Sequence, residues 1–256
     1  MIREHLTLTW RKTKRNTGFT LINVFGLSVG IAVFVLIILW VHNEFSYDRY
    51  NENIDKIYRV EIRGSVYMVS AIGPAFANEF PEIEKFVRFK GMGSTLLTYE
   101  TESIVAKNTF MADSTLFDIF TYEFLYGNAA DALLTPFSIV LTETTARTLF
   151  GGINPVGKTV KIENSYEATV TGVVKDVSRT HMPVDAILSF VTLGKVMPQP
   201  DYLYSFGTSQ FPTYFLISEG VDIGKLTGRM TEFTDELYAR QGRTAGSNVN
   251  ELVPLK

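Results

Sequence analysis

The hydrophobic pattern of the chain changes character near residue 42. From Phe19 to Val41 the sequence FTLINVFGLSVGIAVFVLIILWV runs for 23 positions without a charge, and sixteen of them are Leu, Ile, Val or Phe. An α-helix needs about 20 apolar residues to cross the hydrocarbon core of a bilayer. At about 0.3 to 0.6 kcal/mol each, these side chains favour insertion by roughly 5 to 10 kcal/mol, well beyond what Asn23 offsets. The pattern predicts one transmembrane helix over 19–41. A cleaved signal peptide is the alternative, but its apolar region is about 7 to 15 residues long and ends on a small-x-small site. Here the run ends on Trp40-Val41-His42-Asn43-Glu44, which reads as an uncleaved anchor.

Beyond the anchor the apolar positions come in short runs, so 42–256 is expected to fold in water. Tyr58–Met68 alternates as a strand does, and Pro74–Phe80 places Ala75, Phe76 and Phe80 near one helical face before Pro81 ends it. Ser138–Leu141 reads as a strand leading into a helix over Glu143–Phe150, closed by Gly151-Gly152. Tyr166–Val174 is rich in β-formers, and Tyr214–Ser218 reads as a buried strand. Over Asp222–Arg240, Leu226, Met230, Phe233 and Leu237 recur at helical spacing. The order is α+β rather than a regular βαβ alternation.

Charge sets the expected orientation. Residues 1–18 carry five basic groups against one acid, and the remainder carries 19 basic against 26 acidic groups. Basic residues before the span and Glu44, Asp48, Glu52 and Asp55 after it place the N-terminus in the cytoplasm and the bulk of the chain outside. The predicted organisation is a cytoplasmic basic segment over 1–18, a transmembrane helix over 19–41 and an extracytoplasmic domain over 42–256. Ile2, Leu6 and Trp10 recur every four residues ahead of Arg11, Lys12, Lys14 and Arg15, which suits a short helix on an anionic leaflet; an unstructured basic flank that only sets topology is the alternative. The acidic bulk argues against nucleic acid as a partner. Within the span, Gly26 and Gly30 form a G-x-x-x-G pair, extended by Ser28 and Ala32, which lets another helix approach closely.

Candidate chemistry is sparse. With no cysteine, thiolate catalysis and cysteine metal sites are excluded. His5, His42 and His181 lie far apart without partners at metal-ligand spacing, so no metal is expected, and His181 reads as a loop residue that hydrogen-bonds locally. Gly152–Thr159, GINPVGKT, satisfies the P-loop expression with Gly152, Gly157, Lys158 and Thr159. A phosphate-binding loop follows a strand and opens a helix. Here a helix precedes it and a β-like stretch follows, so the segment reads as a structural turn and no cofactor is expected. No G-x-S-x-G elbow and no catalytic pair stand out, which tilts the reading from enzyme toward binding or transmission.

Nine segments carry a family likeness in order: Asn23–Gly30, Glu44–Tyr50, Ile57–Val60, Phe80–Glu84, Asp113–Phe117, Ser138–Glu143, Asn154–Thr159, Thr171–Asp176 and His181–Asp185. Together they resemble the N-terminal part of the MacB/FtsX-like permeases of ABC transporters, in the version common in Bacteroidetes-type bacteria. The resemblance implies a mixed α/β MacB-like periplasmic core domain with a smaller second lobe, and a loop entering a strand at Asn154–Thr159. It implies a non-catalytic permease subunit of the bacterial inner membrane. A separate cytoplasmic ABC ATPase, a second permease copy or homologue, and a periplasmic partner or cargo would be its partners, and cytoplasmic ATPase motion would be relayed to the periplasmic domain. Such permeases continue into three more membrane helices, so a chain ending at Leu252–Lys256 is expected to be a fragment or a shortened subunit. A stand-alone membrane-tethered binding or sensor module without an ATPase is the rival reading, and an extracytoplasmic enzyme a third.

Overall fold

A computed structural model describes residues 15, 17–44, 48–178, 180–197, 199, 201–242 and 249–255. The expected surface helix around Ile2, Leu6 and Trp10 lies outside these residues. The chain divides into two compact units, 1–47 and 48–256.

The first unit is dominated by helix α1 (Thr17–Glu44), whose apolar stretch Thr17–Val41 has a mean hydropathy of 2.8 and is long enough to cross a membrane. It contains no proline, and aliphatic side chains point outward all round rather than along one stripe. A helix apolar on every face is suited to lipid.

The second unit is a mixed α/β domain built on one ten-stranded sheet. Its elements run β1 (Ile57–Ile62), β2 (Met68–Val69), α2 (Ile72–Glu79), β3 (Ile83–Tyr99), β4 (Glu102–Ala112), α3 (Leu116–Ile119), β5 (Phe124–Gly127) and β6 (Ser138–Thr142). They continue with α4 (Glu143–Phe150), β7 (Thr159–Ile162), β8 (Tyr166–Val174), β9 (Ala186–Ser189), α5 (Leu193–Val196), β10 (Ser209–Phe211), β11 (Thr213–Ile217), α6 (Ile223–Arg240) and β12 (Asn250–Pro254). The sheet order is β12-β1-β11-β3-β4-β9-β6-β8-β5, with β7 bridging β8 and β3; β2 and β10 form a separate two-stranded ribbon.

Because β7 pairs with both β8 and the far end of β3, the strands β3-β4-β9-β6-β8-β7 close into a ring. Period-2 alternation fills it. Ile139 and Leu141 of β6, Ala168 and Val170 of β8, and Ala186 and Leu188 of β9 share one core with Leu97, Val160 and Ile162. Val140, Val174 and Ile187, on the opposite faces of the same strands, join a second core with Val87, Phe89 and Tyr214. At the other end of the sheet, Phe215 and Ile217 of β11 turn to a third core, where α2 and α6 pack through Phe76, Leu226 and Met230. The expected main portion and smaller lobe are thus two ends of one sheet within a single compact unit.

Local chemistry explains the element ends. Thr142 caps α4 by accepting from Thr145 N, and Gly151 closes it at φ +61 in the left-handed region. Asp222 caps α6 by accepting from Lys225 N at 3.1 Å. The expected strand over Tyr58–Met68 stops at Ile62, because Arg63 (φ +56) and Gly64 (φ +70) turn the chain. The long β3–β4 hairpin was not foreseen. Its register shifts around Gly91 and Gly93 break the alternation that marks a strand in sequence.

Candidate functional site

In α1, Gly26 and Gly30 are four residues apart and therefore lie on one helical face. A methyl group at either would meet no heavy atom within 4 Å.

The second unit begins with a hydrogen-bonded clasp. Asp48, four residues past the end of α1, is 3% exposed at φ +56, a conformation aspartate tolerates better than most residues. Its Oδ1 accepts from Thr180 Oγ1 at 2.9 Å, and its Oδ2 lies 2.6 Å from His181 Nδ1. The other ring nitrogen of His181 lies 3.0 Å from the Tyr214 hydroxyl on β11. Asn51 continues the clasp: its Nδ2 donates to the Asp48 carbonyl at 3.0 Å, and its Oδ1 accepts from Thr121 N at 3.0 Å. The loop carrying His181 is held in turn, since Asp185 Oδ2 accepts from Asn108 N at 2.9 Å and the Asp185 carbonyl accepts from Thr142 N at 3.1 Å. Asp48 and His181, which lie in two of the sequence segments singled out above, thus meet in space. The expectation that His181 bonds locally is corrected. Its side-chain partners, Asp48 and Tyr214, lie 133 and 33 positions away. Sequence spacing carries no signal for such a pair, because strand pairing elsewhere brings the two loops together.

Burial pushes the Tyr214 hydroxyl above its ordinary range, as it does for nearby Tyr50 and Tyr122. Among the described residues no group of three or more His, Asp or Glu side chains could hold a metal ion. Tyr214 and His181 also line an open cleft of about 650 Å³, whose other walls include Arg59, Tyr67, Phe89, Lys90 and Gln210. Arg59 there is paired with Glu61 at 2.6 Å.

The segment with the P-loop spelling runs from α4 into β7, a helix–loop–strand order. Gly157 N donates to the Val170 carbonyl at 2.8 Å, and Val170 N donates to the Lys158 carbonyl at 2.8 Å, so the backbone groups are engaged by β8. Lys158 Nζ donates to the Tyr99 hydroxyl at 3.1 Å, and Asn154 Oδ1 accepts from Val156 N at 3.0 Å in an Asx turn.

Comparison with known proteins agrees with this architecture. A domain of a permease protein from Porphyromonas gingivalis superposes with a TM-score of 0.68 at 20% identity, covering 80% of this chain and 93% of that one. The periplasmic region of MacB from Actinobacillus actinomycetemcomitans gives 0.57 at 16% identity, covering 78% and 88% respectively. The extracellular domain of the noncanonic ABC-type transporter YknZ from Gram-positive bacteria gives 0.55 at 15% identity, covering 77% and 99%. Comparison with curated protein sequences gives no match. The family model for the MacB-like periplasmic core domain matches residues 20–233, from within the anchor helix to within α6. The chain therefore belongs to the MacB-like periplasmic core domain family.

Proposed function

We propose that this chain is the anchored periplasmic part of an ABC-transporter permease subunit in the bacterial inner membrane. It has no catalytic role of its own and relays motion between a separate cytoplasmic ATPase and the periplasm, for export or mechanotransmission. The observation that carries the proposal is the clasp. Asp48, the first residue of the second unit, is bonded to His181 and through it to Tyr214 of β11, so the start of that unit is fixed to its own sheet, as a domain that receives motion at its entry requires. β12 pairs antiparallel with β1, and Leu255 N donates to the Ile57 carbonyl at 3.0 Å, so the last described residues are held beside the first strand of the domain.

The basic residues before the span orient the N-terminus to the cytoplasm and the domain to the periplasm. Gly26 and Gly30 form the face on which a neighbouring membrane helix packs, from a second permease copy or a homologue. The loop from Gly152 to Thr159 serves as a structural turn into β7. Supporting that role, Gly157 N and the Lys158 carbonyl are engaged by Val170 of β8, and Lys158 Nζ by the Tyr99 hydroxyl.

The test is co-purification of the natural gene product with neighbouring ATPase candidates from detergent-solubilised membranes. ATPase recovery is expected, and Gly26→Leu should reduce it while the periplasmic domain keeps its circular dichroism. Repeated failure to recover an ATPase with the anchored protein intact would overturn the proposal in favour of a tethered module. Undiminished recovery with Gly26→Leu would overturn the role given to that face.

A further inference from the structure

Two cavities share Lys90 and Gly91 of β3 in their walls. One is the open cleft beside His181. The other, of about 260 Å³, is predominantly apolar, and its walls include Met92, Met111, Phe137, Leu188, Val196 and Met197. Three methionines give it adaptable, polarisable walls, which suit a flexible chain better than a rigid ring. Its size is just under the usual range of about 300 to 1,000 Å³ for ligand pockets, which favours a short occupant. Gly91 leaves the strand bare between the cavities. A methyl group there would meet no heavy atom within 4 Å.

The cations around the cleft differ in one respect. Arg59 is matched by Glu61 at 2.6 Å. Lys90 Nζ instead donates to Gln210 Oε1 at 2.5 Å, and among the described residues it has no carboxylate partner. Burial holds the Lys90 ammonium below its ordinary pKa, the mark of a charge partly stripped of water with no anion to compensate. A ligand anion would supply that compensation.

We propose that the two cavities form one binding site for a soluble amphiphile with a single anionic head, its short apolar chain lying among Met92, Met111 and Met197 and its head crossing Gly91 to pair with Lys90. This inference does not depend on the transporter reading, since a tethered module would carry the same site.

The full chain in lipid nanodiscs, labelled with ¹³C at the methionine methyl groups, tests it with octanoate as the probe. Octanoate should shift the Met92, Met111 and Met197 resonances and leave Met230, buried in the third core, in place. Lengthening hexanoate to octanoate should tighten binding about fourfold per methylene. Octanol, with the same chain and no charge, should bind at least about tenfold more weakly, and Lys90→Gln should weaken octanoate by about tenfold. Gly91→Val places a side chain there whose Cβ meets no heavy atom within 4 Å. It should abolish the octanoate shifts while the Met230 signal stays native. Uniform shifts of all methionines, equal affinity for octanoate and octanol, or full binding by Gly91→Val in a native spectrum would each overturn the proposal.

Discussion

Removing the Asp48 side chain should unlock the segment that follows the anchor, and the structure supplies the size of the effect. Asp48 is 3% exposed, and its carboxylate takes hydrogen bonds from Thr180 and His181 at 2.9 and 2.6 Å. A hydrogen bond to a charged group contributes about 1.5 to 3 kcal/mol, so losing both costs about 3 to 6 kcal/mol. The backbone adds a second penalty. At φ +56 an ordinary Cβ costs about 1 to 2 kcal/mol, which aspartate and asparagine partly escape through local hydrogen bonding and glycine avoids altogether. Three variants therefore separate the contributions. Asp48→Ala should be the most costly, Asp48→Gly about 1 kcal/mol less so, and Asp48→Asn the mildest at about 1 to 2 kcal/mol. Asparagine keeps the shape and the acceptor for Thr180, and its amide can donate to His181 Nδ1 once the ring takes its other tautomer. Urea titration of the full chain in detergent micelles, followed by near-ultraviolet circular dichroism of the domain's aromatic residues, measures the differences. Amide hydrogen exchange at Asn51 and Met182 shows whether the loss is local. If Asp48→Ala lies within about 1 kcal/mol of the parent, or is no worse than Asp48→Asn, the clasp does not hold the start of the domain to its sheet and the proposed relay loses its support.

Two further perturbations probe the sheet and its acid response. Arg88 of β3 forks onto Asp113 through Nε and Nη2 at 2.8 and 2.7 Å, and its Nη1 donates to the carbonyls of Ser70 and Leu203. Breaking such a buried pair costs about 3 to 5 kcal/mol. Arg88→Met should lower the domain's melting temperature by roughly 6 to 20 °C, and adding Asp113→Leu should restore part of it; a shift under about 2 °C would show that the pair is dispensable. Hydrogen bonds from Arg229 hold the Glu82 carboxyl below its ordinary value of 4.5. A depressed folded pKa means its stabilisation is complete above the unfolded value and is lost as pH falls through the folded one. Glu82→Gln should therefore lower stability at neutral pH and flatten the decline below about pH 4.5; an unchanged acid limb in thermal melts would refute the coupling.

The parts of the fold legible from sequence were those specified by neighbours along the chain. A charge-free run of 23 residues determines a membrane-length helix, because every position meets the same solvent. Leu226 and Met230 at helical spacing mark the buried face of α6, while Thr142 and Gly151 bracket α4 through their own cap geometry. The helix-to-strand order around Gly152–Thr159 was likewise readable from the neighbouring residues.

What only the tertiary structure decided depends on distant pairings. The ring closes because β7 returns to β3 more than 60 residues after Leu97, paired at Ile162, and no local pattern encodes that register. The β3–β4 hairpin was hidden because Gly91 and Gly93 interrupt its alternation, and the same Gly91 lines both cavities. His181 gave no sign of Asp48, since 133 residues of intervening chain must fold before the two loops meet. The sequence determined which segments are helix, strand and anchor through local energetics, whereas the clasp and the paired cavities exist only once long-range strand pairing has settled which loops are neighbours.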